Sequence, residues 1–132
     1  DYDRALHGAK IFGDVILADL GYLKNTDMVA MMADFFLRLA DMRWSLVLAR
    51  DGKDLVFSLR TKRRRQNAGR MAQRLVKGWG AAGGHDQVAG GQIPLARIST
   101  GKGEPLADSL IRRFLKMVGR EGRKEEPLLP SM

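Results

Sequence analysis

Trp44 to Arg50 (WSLVLAR) and Asp54 to Arg60 (DLVFSLR) are two β-rich runs parted only by Asp51-Gly52-Lys53, and no other stretch restricts the fold of this chain so tightly. An Asp-Gly pair between apolar, β-branched or aromatic runs is the strongest short-range signal for a hairpin, because glycine enters tight-turn backbone conformations that a Cβ forbids. A two-stranded ribbon is therefore expected. Side chains alternate across a strand, so Leu55, Phe57 and Leu59 share one face while Val56, Ser58 and Arg60 share the other.

The remaining periodicities build on that ribbon. Val15 to Leu20 (VILADL) reads as a buried strand closed by Gly21, with Asp19 as an acid at its end. Asn25, Thr26 and Asp27 offer side-chain oxygens to first-turn amides of a helix reaching about Ala40, whose Met28, Met32, Phe35, Phe36 and Leu39 line one face. Asn67 caps a further helix with an apolar face of Ala68, Met71, Ala72 and Leu75, stopped by Gly78-Trp79-Gly80. Gln92 to Ala96 is a strand that Pro94 places near a sheet edge or strand end. Pro105 opens a last helix with Leu106, Leu110, Phe114 and Val118 on one side. Tyr2, Ala5, Leu6 and Ala9, spaced i, i+3, i+4 and i+7, mark a short helix ending near Gly13. The expected fold class is α/β: a mixed β-sheet of about four or five strands with packed helices, in β-α-β-β-α-β order plus a C-terminal helix.

At 132 residues the chain is one domain long, with residues 1–13 as a linker helix, 14–119 as the domain and 120–132 as a flexible tail of glycine, charge and proline. Its first residue is Asp rather than Met, so an excised piece of a longer protein is expected. The absence of Cys excludes disulfides and thiolate metal sites and is compatible with a cytoplasmic location. No apolar run is long enough to cross a bilayer, so no membrane partner is expected. Twenty-three Lys and Arg against fifteen Asp and Glu leave a net charge of +8, which favours a polyanionic partner.

Chemistry concentrates in Gly83-Gly84-His85-Asp86-Gln87-Val88-Ala89-Gly90-Gly91. Paired glycines let backbone approach a bound group closely, and amides can then converge on an anion. Ser58 and Arg60, side by side on one strand face, could clamp a phosphate through one hydroxyl donor and a guanidinium fork. Lys62-Arg63-Arg64-Arg65 follows them directly, either a solvated loop or an electrostatic funnel. Trp79 is suited to stacking on a base or to packing under the glycine loop. Ser99 to Gly103 (STGKG) fails as a phosphate loop, since Gly follows Lys102 where Ser or Thr is needed. His7 and His85 are the only histidines, and no metal-ligand spacing or catalytic triad is present.

The Gly83-Gly84-His85 and Ala89-Gly90-Gly91 elements resemble the GGxH…AGG signature of the small C-terminal domain of DHH-family phosphoesterases, and Ser58 to Thr61 (SLRT) resembles the SxRS-type motif beside it. That family includes oligoribonucleotide hydrolases, exopolyphosphatase-like proteins and, more distantly, a domain of alanyl-tRNA synthetases. The resemblance implies that Ser58, Arg60, Thr61, Gly83, Gly84, His85, Gly90 and Gly91 hold a phosphate-containing substrate: a short oligonucleotide, nucleotide or polyphosphate. It further implies that two manganese ions sit in a separate N-terminal catalytic domain of the same protein, because the Asp-His-His motif is absent from this chain. No cofactor is expected in the domain itself, which would bind but not hydrolyse. The strand-end Asp19 is a minor candidate on the same ground. A non-catalytic basic RNA-binding module is the competing reading, and self-association as a homodimer is a third.

Overall fold

In a computed structural model of the chain, residues 8–39, 41–97 and 105–129 are described. One seven-stranded sheet, in the order β5-β6-β4-β3-β2-β1-β7, organises the molecule. Strands β2 (Val15–Tyr22) and β3 (Trp44–Arg50) are parallel, joined through helix α1 (Asp27–Leu39). The other neighbours are antiparallel: β3 with β4 (Asp54–Thr61), β4 with β6 (Val88–Pro94), β6 with β5 (Ala81–Gly84), β2 with β1 (Lys10–Phe12), and β1 with β7 (Glu126–Pro127). Helices α2 (Ala68–Leu75) and α3 (Leu106–Met117) and two short 3-10 turns, Arg64–Gln66 and Leu95–Arg97, complete the described elements.

The central hairpin forms as its turn chemistry requires. Asp51 Oδ1 accepts from the amides of Lys53 (3.0 Å) and Asp54 (2.9 Å), while Gly52 takes φ +102°. The expected caps also form: Asn67 Oδ1 accepts from Arg70 N at 3.0 Å to start α2, and Asn25 Oδ1 accepts from Asp27 N at 2.9 Å ahead of α1.

Helices flank the sheet on both sides, and strand alternation divides the core in two. Val15, Leu17, Trp44, Leu46, Leu48, Leu55, Phe57 and Leu59 point to one face, where α2 and α3 bury them. Trp44 meets Phe114 edge-on at 5.6 Å between ring centroids. Ile16, Ala18, Val47 and Ala49 point the other way, under Met32 and Phe36 of α1.

The sheet is wider than the four or five strands expected. Strand β5 is Ala-Ala-Gly-Gly, with no β-branched or aromatic residue to announce it; it exists because Ala81–Gly84 pair in register with Gln92, Gly91, Gly90 and Ala89. Strand β6 starts at Val88 rather than Gln92, and Leu95–Arg97 is a short 3-10 turn. The helix expected over 1–13 has given way to strand by Lys10, and Tyr2, Ala5, Leu6 and His7 lie outside the described residues. The tail expected to be flexible returns to the sheet in part: Arg120 grips Asp14 through two hydrogen bonds (2.7 and 3.0 Å), and β7 pairs with β1. The Ser99 to Gly103 segment lies outside the described residues. Among the described residues no helix is long and apolar enough to cross a membrane.

Candidate functional site

Register places the candidate residues in two rows on the α1 side of the sheet. Val47, Ser58, Gly90 and Gly83 are successive neighbours across β3, β4, β6 and β5. One row along, Ser45, Arg60 and Val88 pair in the same way, and His85 closes the β5–β6 turn by donating its amide to Val88 O at 2.7 Å. Helix α1 packs over β2, β3 and β4 and leaves the β6–β5 hairpin open. The result is a shelf floored by glycine backbone, with Ser58 and Arg60 at its inner edge and His85 at its end.

Arg60 is held from three directions. Its Nε donates to Asp34 Oδ1 of α1 at 2.6 Å, and its Nη1 donates to Leu59 O (3.0 Å) and Ala89 O (3.1 Å). Nη2 has no protein partner among the described residues, so one donor of the fork remains for a ligand. The side chain is only 8% exposed, and a guanidinium so deep requires the Asp34 carboxylate. Ser58 is nearly buried, and its hydroxyl has no hydrogen-bond partner among the described residues. The imidazole of His85 is exposed and has no hydrogen-bond partner among the described residues, although its backbone is firmly anchored.

That anchoring changes how the glycine-histidine stretch works. His85 O and Asp86 O accept from the first amides of α2, Gly69 N at 2.9 Å and Ala68 N at 2.8 Å. The turn spends its carbonyls on the helix start and the His85 amide on its own hairpin, so the bare floor and the protruding side chain are what it offers a ligand. Its glycines have separate duties. A Cβ at Gly91 would stand 2.7 Å from Phe57 Cε1, and one at Gly69 2.8 Å from Gly84 O, so both are needed for close packing on the α2 side. A Cβ at Gly84 would enter the Val88–Ala89 backbone, whereas one at Gly83 would meet nothing within 4 Å.

Four of the candidate residues point elsewhere: Thr61, Gly91, Asp19 and Trp79. Thr61 is fully buried on the opposite face, with Oγ1 donating to Gln66 Oε1 at 3.0 Å; it secures the turn after β4. Gly91 also belongs to that face. Asp19 is tied to Arg50 through two hydrogen bonds of 2.9 Å and accepts from Gly21 N at 2.9 Å, on β2 and away from the shelf. Trp79 lies under the guanidinium of Arg113, 3.4 Å from the ring centroid, and not at the shelf. The basic run does adjoin it: Gln87 Nε2 donates to Lys62 O at 2.9 Å, and Arg63, Arg64 and Arg65 are exposed beside the turn. Sequence reasoning passed over Asp34. The available signal was an acid in the middle of an otherwise apolar helix, a turn that must face the sheet edge. Among the described residues no group of three His, Asp or Glu converges to hold a metal ion.

A profile of the DHHA1 domain matches residues 12–119, which include both shelf rows. This chain belongs to the DHHA1 domain family. An uncharacterized protein of Methanocaldococcus jannaschii is 32% identical over 83 residues, covering 63% of this chain and 16% of that protein. Among solved structures, the C-Ala domain of Aquifex aeolicus alanyl-tRNA synthetase superposes at TM-score 0.58 with 18% identity, covering 81% of this chain and 96% of that one. A pGpG-specific phosphodiesterase from Vibrio cholerae gives 0.56 at 13% identity, over 92% of this chain and 38% of that one. An exopolyphosphatase-related protein from Bacteroides fragilis gives 0.57 at 18% identity, over 87% and 33%. The DHHA1 domain thus spans a minor part of the two hydrolase-related structures and of the curated relative, and nearly the whole of C-Ala.

Proposed function

We propose that this DHHA1 domain holds a phosphate-bearing substrate for hydrolysis by a separate, metal-bearing domain of a DHH-type phosphoesterase. The observation that carries the proposal is the open glycine floor between Ser58 and Gly83, with, at its inner edge, a hydroxyl and one guanidinium nitrogen that have no partner among the described residues. A floor without side chains admits a flat or extended anion against backbone, and donors fixed beforehand bind it at low ordering cost. Among the described residues Ser58 makes no hydrogen bond to a general base, in keeping with a role in positioning the substrate. Two manganese ions in the partner domain would supply the activated water, and His85 would steady the terminal phosphate. Short oligonucleotides, nucleotides and polyphosphate all present the group such a shelf would take.

The competing reading, a basic RNA-binding module, draws on the exposed Arg63, Arg64 and Arg65. His85 separates the two. Titrated with a 5′-phosphorylated dinucleotide, the His85→Ala and Ser58→Ala variants are expected to lose about tenfold or more in affinity, the worth of a hydrogen bond to a charged group, with melting temperatures unchanged. Unaltered affinity in both variants would remove the shelf from the function and leave the RNA module standing.

A further inference from the structure

The shelf has two unlike ends. At one, Ser58, Arg60 and His85 stand beside the exposed Arg63, Arg64 and Arg65. Toward the other, Val56, Gln92 and Ala81 pair across β4, β6 and β5, and Asp54 pairs with Pro94 one row further. Strand alternation puts Val56, Gln92, Ala81 and Asp54 on the shelf face. Arg60 is the only Lys or Arg in these three strands, and Asp34 already matches its charge at 2.6 Å. Charge therefore grades along the shelf from basic to neutral and ends at a carboxylate. An inorganic polyphosphate is charged along its whole length, so only the first end suits it.

Between the ends lies an open trough. Its floor is Gly90 and Gly83: a Cβ on Gly83 would meet nothing within 4 Å, and one on Gly90 only Phe57 O. Its banks on β6 are Val88 and Gln92, roughly 13 Å apart at the rise of an extended strand. Val88 is 44% exposed, an uncovered apolar side chain beside a polar site. Gln92 is exposed, and its amide, one acceptor and two donors, has no hydrogen-bond partner among the described residues. Edge strand β5 contributes only Ala81 and Gly83 to this face, which leaves the trough open at the side of the sheet.

A flat ring with apolar faces and polar edges fits such a bed, and splayed-out bases are recognised through their faces and edges together. We propose that the trough seats a nucleobase, its face on the Gly90–Gly83 backbone and Val88, its edge on the Gln92 amide, so that the shelf takes a nucleotide in preference to inorganic polyphosphate. The seat rests on the shelf being the substrate site and adds to it a residue that selects the substrate.

The chain is titrated calorimetrically with a 5′-phosphorylated dinucleotide, its abasic counterpart and sodium tripolyphosphate. The dinucleotide is expected to bind about tenfold or more tighter than either of the others. Gln92→Ala should weaken the dinucleotide about threefold to tenfold, leave the other two ligands as they were, and melt with the parent because the side chain is exposed. Gln92→Glu keeps acceptors and loses the amide donors, and should reorder affinities among dinucleotides of different bases. Tripolyphosphate binding as tightly as the dinucleotide, or a Gln92→Ala protein with the parent's preference between them, would overturn the seat. Ser58→Ala and His85→Ala separate the two levels. If they weaken all three ligands while Gln92→Ala weakens none, the shelf stands and the base seat alone falls; if they weaken none, the shelf falls and the seat with it.

Discussion

Gly83 and Gly84 are neighbours under different constraints. Gly84 has φ +155° and presses against the backbone of Val88 and Ala89, and neither can retreat without opening the β5–β6 turn that starts α2. Gly83 is exposed, and a methyl there meets nothing. Gly84→Ala is therefore expected to cost about 3 kcal/mol or more, since backbone cannot yield as a flexible side chain would. Gly83→Ala should stay within roughly 0.5 kcal/mol of the parent, helped by a less flexible unfolded chain. Its Cβ would nevertheless stand on the shelf, so dinucleotide affinity should fall. Melting curves and titrations of the two variants check this, and a Gly83→Ala protein that binds normally would show that the floor need not be bare.

At the level of elements, what was legible in the sequence and what was not divide along physical lines. The β3–β4 hairpin carries its own turn chemistry in Asp51-Gly52, and α1 and α2 carry a helical repeat, so each declares itself locally. Ser58 and Arg60 were readable as a pair because alternation is a property of one strand. Strands β1, β5 and β7 are short and depend on neighbours, so nothing local announces them. The Arg60–Asp34 pair joins residues 26 apart through helix docking, and no pattern along the chain encodes it. The link between Asp14 and Arg120, 106 residues apart, is of the same kind and ties the end of α3 to the start of β2. Hydrogen bonds from Arg120 hold the Asp14 carboxyl below its ordinary value against the opposing effect of burial, with the charges of Arg120 and Arg43 assisting. A carboxyl depressed in the folded state contributes stability above its unfolded pKa and loses it as pH falls through the folded one. The contribution is thus whole at neutral pH and fades below about pH 4. Asp14→Asn should be less stable at pH 7 by about 1 kcal/mol and show a shallower loss on acidification. Thermal melts between pH 7 and pH 2 read both slopes, and parallel curves for the two proteins would exclude this pair as the cause.

Across the whole molecule, the excess of +8 is distributed unevenly because several acids are engaged in ion pairs. Asp14 holds Arg120, Asp19 holds Arg50, Asp34 holds Arg60, and Asp41 holds Lys62. These pairs neutralise cations around β2 to β4, while Arg63, Arg64 and Arg65 stand exposed beside the shelf. A polyanion that reaches them releases counterions, and for a single strand the logarithm of affinity falls with the logarithm of salt by about 0.7 for each phosphate neutralised. A short oligonucleotide engaging three or more phosphates should therefore show a slope of about −2 or steeper. Replacing Arg63, Arg64 and Arg65 together with alanine should flatten that slope, because the charges that released ions are gone. His85→Ala should lower affinity at every salt concentration while leaving the slope nearly as it was, since what it removes is one hydrogen bond and not a lysine or arginine. If instead the triple variant keeps the parent's slope, the arginines beside the turn are solvated and take no part in drawing the substrate to the shelf.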